Sequence, residues 1–322
     1  MHQSSPSSTT FRFLIDDPND VSMRLDVFLT EQDDPPLTRS QIKRCLGDGE
    51  VLINGQATTK AGYRLRQGDE IIWTHAPPQP PDLVAQNIPL TFLYHDEHLA
   101  IVDKPAGMVV HPSYGHPNGT LVNALLYHLN ALSSLNTPAR PGIVHRIDKD
   151  TSGALAITCT DEAHRHLAEK FRTHSIERTY HALVLDQGLD DSGTFSTLHG
   201  RDPRNRFRFT GEVEKGKHAI THYTVLERFH QGVALVECKL ETGRTHQIRM
   251  HFFDANCPLL GDQLYGGPAT QNNRIIDRQA LHAYTLGFTH LDGTEILTEA
   301  PYPEDFAFAL EALRQNKQWR KK

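Results

Sequence analysis

The 322-residue sequence predicts an α+β protein of two domains, a small N-terminal one and a larger one built on a mixed, largely antiparallel sheet. Its length is about twice that of an average domain. Four of the five residues in 77–81 are proline, a composition that forms a stiff extended linker. Beyond it, strand-like segments outnumber helical ones and do not alternate regularly with them. The expected division is a flexible segment over 1–21, the small domain over 22–75, the linker over 76–88, the large domain over 89–316 and a basic tail over 317–322.

The composition is that of an ordinary folded protein, with 38% hydrophobic and 22% charged residues. No stretch reaches the roughly 18 to 20 consecutive apolar residues of a membrane-spanning helix. The first residues lack the charged-then-apolar order of a secretion signal. The four cysteines lie far apart without a CxxC pair, which predicts reduced and mostly buried thiols. We therefore expect a cytoplasmic protein without a membrane partner.

The charge of the chain is unevenly distributed. A net charge of −6 argues only weakly against a nucleic-acid partner, because binding to a polyanion depends on local patches more than on the total. Three stretches are locally basic, namely 39–44, 201–208 and 314–322. These stretches are the candidate contacts for a negatively charged partner.

The small domain predicts two helices followed by a short sheet. Apolar residues recur at helical spacing over 24–29 and again over 39–46. The Asn-Gly pair at 54–55 predicts a tight hairpin turn, with strands over 51–53 and 70–73. This order predicts a helix–turn–helix packed beside a small sheet.

One face of the second helix is cationic. Arg39, Lys43 and Arg44 lie there at spacing i, i+4 and i+5, which makes them candidate contacts for RNA phosphates. The alternative interpretation is an ordinary solvated helix face, which such a charge cluster by itself does not exclude.

The large domain predicts seven strands and three helices. Runs of apolar residues predict the strands, and apolar residues three or four apart predict the helices. Their irregular order favours a largely antiparallel sheet. The predicted strands span 98–103, 143–147, 154–158, 178–186, 220–229, 233–240 and 282–289, and the predicted helices span 120–132, 161–171 and 247–254.

The segment 142–153 has the highest density of reactive side chains. An apolar strand leads into a charged, hydroxyl-rich turn and out into a second apolar strand. A carboxylate between buried strands is costly unless it is paired, so Asp148 should have a cationic partner. Arg146 lies two residues earlier and would share its face in a strand. A purely structural Arg–Asp pair is the alternative.

A second polar segment spans 240–251. A strand ends at Gly243, and Arg244 in the following turn is free to reach across the sheet. Arg249 and His251 make separate contacts. His246 and His251 have poor spacing for a metal site, since no carboxylate or cysteine cluster accompanies them.

A third segment contains Tyr180 on a strand. Tyrosine in a strand is most often a half-buried packing residue. Arg178 precedes it by two residues and shares its face. Tyr180 is therefore a candidate functional residue only if this face of the strand lines a binding pocket.

Motifs in both domains resemble known families. In the small domain, Arg24-Leu-Asp26, Ser40-Gln-Ile42, Gly49-Glu-Val51 and Gly68-Asp-Glu70 follow the order of the S4-like RNA-binding domain. In the large domain, His145-Arg-Ile-Asp-Lys-Asp-Thr-Ser-Gly153 resembles the signature of the RluA-type pseudouridine synthases. Further motifs of that family follow in its order: Lys104-Pro-Ala-Gly107, Val109-Val-His-Pro112, Arg178-Thr-Tyr180, Gly243-Arg-Thr-His-Gln-Ile-Arg249 and Gly261-Asp-Gln-Leu-Tyr-Gly-Gly267.

This resemblance implies a pseudouridine synthase catalytic domain behind an S4-like domain. It implies that Asp148 acts at the ribose, either as nucleophile or as proton abstractor. Arg244 corresponds to the arginine that keeps the carboxylate ionised, and Tyr180 to the residue stacked on the base. Arg146 corresponds to the side chain that fills the place of the flipped uridine. The isomerisation implies no cofactor and no metal.

The resemblance is strongest to members that act on large-subunit (23S) ribosomal RNA, which implies ribosomal RNA as the partner, a target in the loop of helix 69, and a monomeric enzyme. A synthase acting on transfer RNA is one alternative. A non-catalytic ribosome-assembly factor is another, although Asp148, Tyr180 and Arg244 are all present. A hydrolase that pairs Asp148 with Asp150 lacks a second acid–base system to support it.

Overall fold

A computed structural model describes residues 9–32, 39–75, 83–113, 115–135, 140–266 and 275–315. The chain divides into two compact units, Met1–Pro80 and Pro81–Lys322. The division falls inside the predicted linker over 76–88. Residues 76–82 of that linker, residues 1–8 and the predicted basic tail lie outside the described residues. In the described parts of the chain, no helix is both long and apolar enough to cross a bilayer.

The first unit joins two helices to a small antiparallel sheet around one apolar core. Its elements are β1 (Thr9–Leu14), α1 (Leu25–Thr30), α2 (Arg39–Gly47), β2 (Val51–Ile53), β3 (Gln56–Ala57) and β4 (Glu70–His75). The strand order is β1-β4-β2-β3. The predicted helices and strands of this unit are therefore present, and two strands are added, β3 after the hairpin turn and β1 at the N-terminus.

Strand β1 corrects the prediction of a flexible segment over 1–21. β1 pairs with β4 along its whole length, and Ile15 is fully buried. Phe11 packs on Trp73 at 5.7 Å and Phe13 on Phe28 at 5.5 Å between ring centroids. Alternate aromatic side chains thus attach this strand to the core.

Helix α2 is amphipathic, as its spacing predicts. Ile42, Cys45 and Leu46 are buried, whereas Lys43 and Arg44 are exposed. Arg39 begins the helix, but its side chain lies outside the described residues. The exposed Lys43 and Arg44 are therefore available to an anionic partner.

The second unit is a ten-stranded sheet with helices on both faces. β6 is apolar over most of its length because both of its faces are covered: Ala100 and Val102 pack in one core, and Leu99 and Ile101 in another on the opposite face. The elements are β5 (Thr91–His95), β6 (Leu99–Lys104), α3 (Leu121–His128), β7 (Ser152–Thr158), α4 (Asp161–Arg172), β8 (Glu177–Leu185), β9 (Ser192–Arg201), β10 (Phe209–Thr210), β11 (Lys217–Phe229), β12 (Val233–Leu240), α5 (Gln247–Asp254), β13 (Leu281–Thr289), β14 (Glu295–Glu299) and α6 (Glu304–Arg314).

The sheet order is β10-β9-β11-β12-β8-β13-β7-β6-β5, and β14 pairs with β13. Of the pairings between described strands, β7 with β13 is parallel and the rest are antiparallel. The mixed, largely antiparallel sheet is therefore confirmed. The parallel contact requires Gly153, since a Cβ there would lie 2.2 Å from the carbonyl oxygen of Ala283.

The predicted strand over 143–147 is wrong. Only an isolated bridge joins Ile143 to Ile157, and the chain from Val144 to the start of β7 is irregular. The amide of Ala156 donates instead to Nε2 of His145 at 2.8 Å, so a side chain takes the place of a strand partner. Burial lowers the pKa of His145 to about 3, which keeps this ring nitrogen an acceptor.

Candidate active site

A cavity of about 550 Å³ opens between the irregular segment, β8 and the start of α5. We call residues 142–151 the catalytic loop, because it supplies much of this pocket. Arg146, Asp148, Tyr180 and Arg244, all named from the sequence, line it together. The other lining residues are Val144, His145, Ile147, Thr151, Phe171, Arg172, His174, Arg178, Leu240, Gly243, His246, Gln247, Ile248, Arg249 and Leu281.

Asp148 is held by a buried arginine. Nη1 of Arg249 donates to Oδ2 of Asp148 at 2.9 Å. The same guanidinium donates from Nε and Nη2 to both oxygens of Asp262, at 2.6 and 2.9 Å. The side chain of Asp262 is fully buried and that of Arg249 is 7% exposed, whereas Asp148 is 17% exposed toward the pocket. Nε and Nη2 of the guanidinium are therefore fixed by Asp262, and its Nη1 is presented to Asp148.

The two carboxylates around Arg249 stabilise its charged form. Burial alone would lower the pKa of Arg249, but the hydrogen-bonded Asp262 and the nearby Asp148 raise it above its ordinary value. The guanidinium also lies 5.1 Å from the centroid of the Tyr265 ring. Arg249 is therefore a permanent cation beside Asp148.

The expected partner of Asp148 is corrected from Arg244 to Arg249. Nε of Arg244 donates to the carbonyl oxygen of His218 at 3.0 Å, and its side chain is partly exposed at the pocket. The first turn of α5 turns Arg249 toward the catalytic loop after His246, which has a left-handed backbone (φ 58°). The requirement for a cationic partner was predicted correctly from burial, but its identity was not.

Two further basic side chains hold backbone carbonyls of the catalytic loop. Nζ of the fully buried Lys104 donates to the carbonyls of Pro105, Met108 and Lys149 at 2.8 to 2.9 Å. Nη1 of Arg278 donates to the carbonyl of Asp150 at 2.9 Å. The bonds to the carbonyls of Lys149 and Asp150 satisfy groups of the catalytic loop that no strand ladder satisfies.

Arg278 is itself held in place. Its Nε and Nη2 form a fork with the carboxylate of Asp305, at 2.6 and 2.8 Å. Asp305 lies in the first turn of α6, near the positive end of that helix. Helix α6 thus orients Arg278, and Arg278 in turn holds the catalytic loop.

Tyr180 forms the aromatic wall of the pocket. It lies on β8 between Cys238 of β12 and Ala283 of β13, and it is 8% exposed. Burial raises the pKa of its phenol, so the hydroxyl is protonated at neutral pH. Among the described residues, none forms a hydrogen bond with this hydroxyl, which leaves it available to a bound molecule.

Arg178 shares the pocket face with Tyr180, as strand alternation predicts. Nη2 of Arg178 donates to the carbonyl of Glu241 at 3.2 Å, and the guanidinium lies 5.4 Å from the centroid of Phe171. A Cβ at Gly243 would lie 2.8 Å from Nη1 of Arg178. Glycine at this position therefore makes room for the arginine that closes this side of the pocket.

Arg146 is an exposed cation at the pocket. It makes no ion pair and no hydrogen bond with the residues that the structure describes. A long side chain without a fixed partner, next to Asp148, is suited to entering a nucleic acid from the protein surface. The role that the resemblance implies for Arg146, filling the place of the flipped uridine, stays a prediction.

His246 and His251 do not form a metal site. Nδ1 and Nε2 of His251 contact the hydroxyls of Thr221 and Thr197 at 2.9 and 3.0 Å. Nδ1 of His246 lies 3.2 Å from the hydroxyl of Tyr265. Within the described ranges, no group of three or more His, Cys, Asp or Glu side chains is arranged to hold a metal. All four cysteines are free and buried, as predicted.

Comparisons with known proteins identify both units. Residues 98–253 match the family described as RNA pseudouridylate synthase, and residues 23–71 match the S4 domain. The chain is 45% identical over 298 residues to the uncharacterized RNA pseudouridine synthase YlyB of Bacillus subtilis, covering 92% of this chain and 95% of that protein. It is 41% identical over 295 residues to ribosomal large subunit pseudouridine synthase D of Xylella fastidiosa, covering 88% and 86%.

A solved structure has the same fold. Human RNA pseudouridylate synthase domain containing 1 superimposes with a TM-score of 0.55 at 24% identity, over 71% of this chain and 87% of that one. Fold, pocket and matches define an RNA-modifying enzyme with an N-terminal RNA-binding domain. The chain belongs to the RNA pseudouridylate synthase family, of RluA type.

Proposed function

We propose that this enzyme converts specific uridines of large-subunit ribosomal RNA to pseudouridine, with Asp148 as its catalytic carboxylate. The observation that carries the proposal is the geometry of Asp148. It is the partly exposed carboxylate of a pocket of nucleoside size, held by the buried Arg249 and faced by Tyr180. A fixed negative oxygen beside an aromatic wall suits a reaction at the sugar of a stacked pyrimidine.

The reaction balances without a co-reactant. The bond between N1 of uracil and C1′ of ribose breaks, the base turns, and a bond forms between C5 and C1′. The C5 proton then leaves, and N1 gains a proton. Asp148 acts at the sugar as the glycosidic bond breaks, either by attack on C1′ or by removal of a ribose proton, and Arg249 holds its carboxylate negative and in position.

Tyr180 and Arg146 prepare the substrate in this proposal. The ring of Tyr180 stacks on the uracil and prevents its escape while the base turns. Its neutral hydroxyl donates a hydrogen bond to the base, since burial raises the pKa of the phenol. Arg146 enters the space that the flipped uridine leaves, and this compensates part of the cost of unstacking.

One observation supports ribosomal RNA as the target, and a second supports RNA in general. Relatives from Xylella fastidiosa, Xanthomonas campestris and Pseudomonas aeruginosa, at 41%, 38% and 39% identity, are named ribosomal large subunit pseudouridine synthase D. The S4 domain presents Lys43 and Arg44 on an exposed helix face, which suits contacts to phosphates. We assign the target to the loop of helix 69.

Asp148→Asn is the direct test. We expect it to bind a large-subunit ribosomal RNA transcript within twofold of wild type and to lose at least about 10³-fold in rate, since the change removes the charge and leaves the shape. Release of tritium from [5-³H]uridine in that transcript measures the rate. Asp150→Asn is the matched control, because Asp150 lies in the same loop but does not line the pocket.

A rate within tenfold of wild type for Asp148→Asn would remove Asp148 from the chemistry. An equal loss in Asp150→Asn would instead favour a paired-carboxylate mechanism. Carbodiimide mapping of pseudouridine in cells lacking the enzyme tests the target. The modification should disappear from the helix 69 loop, and a loss confined to transfer RNA would contradict the assignment.

A further inference from the structure

A second feature of the catalytic unit combines exposed aromatic and cationic groups. Residues 201–208, which we call the arginine loop, connect β9 to the edge strand β10. The loop contains four arginines and one aspartate. At its tip, Phe207 is 60% exposed. Nothing in the chemistry described above uses this loop.

The arginine loop is ordered by its own hydrogen bonds. The carboxylate of Asp202 accepts from the amide of Arg204 at 2.8 Å, and the side-chain oxygen of Asn205 accepts from the amide of Phe207 at 3.0 Å. The amide of Arg208 donates to the carbonyl of Asn205 at 2.9 Å. Phe207 is therefore presented to solvent by a fixed turn and not by a loose one.

Two of the four arginines of the loop, Arg201 and Arg206, are exposed and remain available. The guanidinium of Arg206 lies 4.8 Å from the centroid of the Phe207 ring, and that of Arg201 lies 4.2 Å from the centroid of Phe209. Among the described residues, neither arginine has a carboxylate partner. Arg204 has an exposed one, Glu212 at 3.3 Å, which is a weak pair at a surface.

The loop is joined directly to the wall of the Asp148 pocket. The amide of Phe209, one residue beyond the loop, donates to the hydroxyl of Tyr265 at 2.8 Å. That hydroxyl also contacts His246 at 3.2 Å, and His246 lies 4.0 Å from Asp148. The edges of the Phe209 and His246 rings meet at 5.8 Å between centroids. The arginine loop is therefore connected to the lining of the Asp148 pocket through Phe209, Tyr265 and His246.

A single exposed apolar side chain is ordinary and by itself indicates nothing. Leu297, on β14, is as exposed as Phe207, at 62%, and has no cation placed over it. Phe207 differs because a planar cation lies against its ring in an ordered, positively charged turn. Cations for phosphates next to an aromatic face for a base are the elements that bind unpaired nucleic acid.

We propose that the arginine loop is a second RNA-binding surface, on which Phe207 stacks an unpaired base of the substrate and Arg206 contacts the adjacent phosphate. This inference rests on the proposed function, since it takes the substrate of the neighbouring pocket to be RNA. It assigns part of substrate recognition to the catalytic unit, separately from the S4 domain.

The test compares binding of a labelled large-subunit ribosomal RNA transcript by the full-length wild type, Phe207→Ala and Phe207→Trp. Phe207→Ala should weaken binding about tenfold, within the range for loss of one base–aromatic stack, and Phe207→Trp should restore it. In tritium release, KM should rise and kcat should stay within twofold. Leu297→Ala is the matched control and should bind like wild type.

Arg206→Gln tests the phosphate contact. It should reduce the slope of log K against log salt concentration by about 0.7 to 0.9, as expected for one lost phosphate contact. Circular dichroism should show unchanged thermal unfolding for every variant, because the changed side chains are exposed. An unchanged salt slope would overturn the assignment of Arg206.

Binding by Phe207→Ala within twofold of wild type would overturn the inference, and so would a Trp variant as weak as the Ala variant. An effect seen only with assembled ribosomal subunits, and absent with the naked transcript, would assign the surface to a protein partner and also overturn it. Failure of the proposed function is distinguishable: wild type would then modify no uridine of this transcript.

Discussion

The catalytic loop and the arginine loop are both irregular, charged connections in the same unit, yet they treat their charges in opposite ways. In the catalytic loop, Asp148 meets a buried guanidinium, and the loop carbonyls meet Lys104 and Arg278. In the arginine loop, Arg201 and Arg206 lie against aromatic rings at the surface. The fold fixes the Asp148 carboxylate and the backbone carbonyls of the catalytic loop, whereas the arginine loop presents the guanidinium groups of Arg201 and Arg206 to solvent.

This difference shows what each task requires. A reacting carboxylate must be in place before the substrate arrives, because reorganisation during the reaction would cost rate. Cations that bind a polyanion must be exposed to reach its phosphates. Their binding releases counterions from the nucleic acid, and this release favours the complex. Substitutions in the first loop should therefore change stability and kcat, and substitutions in the second should change RNA affinity and its salt dependence.

The largest effect expected from this comparison is that of Arg249→Met. The change leaves Asp148 and the fully buried Asp262 without their cation, a loss that costs about 3 to 5 kcal/mol of unfolding free energy. Urea unfolding measures it. Arg206→Met makes the same change in the arginine loop and should alter stability by less than about 0.5 kcal/mol. Equal costs for Arg249→Met and Arg206→Met would remove the distinction between the two sites.

A smaller effect concerns the pH dependence of stability. Burial lowers the pKa of Lys104 to about 7, from an ordinary value of 10.5 in the unfolded chain. Between these values the unfolded chain binds more protons, so raising the pH stabilises the folded state. Lys104→Met lacks this contribution. The wild type should therefore gain about 2 kcal/mol relative to the variant between pH 7 and pH 9.

Urea unfolding of both proteins at pH 7, 8 and 9 measures this difference, and the subtraction removes the groups that titrate in both. A constant difference across that range would show that Lys104 stays charged in the folded protein. The three carbonyls that accept from its Nζ would then be sufficient to hold the ammonium.

The fold was predictable where apolar runs are continuous. β8 and β12 are buried along most of their length, and their sequences predict strands directly. β9 was not predicted, because Ser-Gly-Thr-Phe-Ser-Thr is largely polar and the strand is only half-buried. The apolar residues Ile143, Val144 and Ile147 suggested a strand that His145 prevents by occupying the amide of Ala156. A side chain that takes the place of a backbone hydrogen-bond partner leaves no periodic pattern in the sequence.

The site was predictable as a set of residues more than as a set of contacts. The four residues named from the sequence line one pocket, and the need of Asp148 for a cation followed from burial alone. The choice between Arg244 and Arg249 depended on the left-handed turn at His246, which no local pattern indicates. Lys104 and Asp262 lie in quoted motifs, but a buried charge is not recognisable without knowledge of its burial.

The smallest expected effect is that of Arg244→Gln, and it decides between the two arginines. Arg244 is partly exposed and bonded to the carbonyl of His218, so we expect it to contribute binding that is equal in ground state and transition state. KM for the ribosomal RNA transcript should rise about tenfold with kcat within twofold of wild type. Arg228→Gln is the control, because Arg228 is occupied by Asp186 and Asp191 away from the pocket. A fall in kcat of about 10²-fold with KM unchanged would instead assign the transition-state role to Arg244, since an interaction made only in the transition state lowers kcat and kcat/KM equally. The contact between Arg249 and Asp148 would then orient the loop, and Arg244 would have to move to the carboxylate when RNA binds.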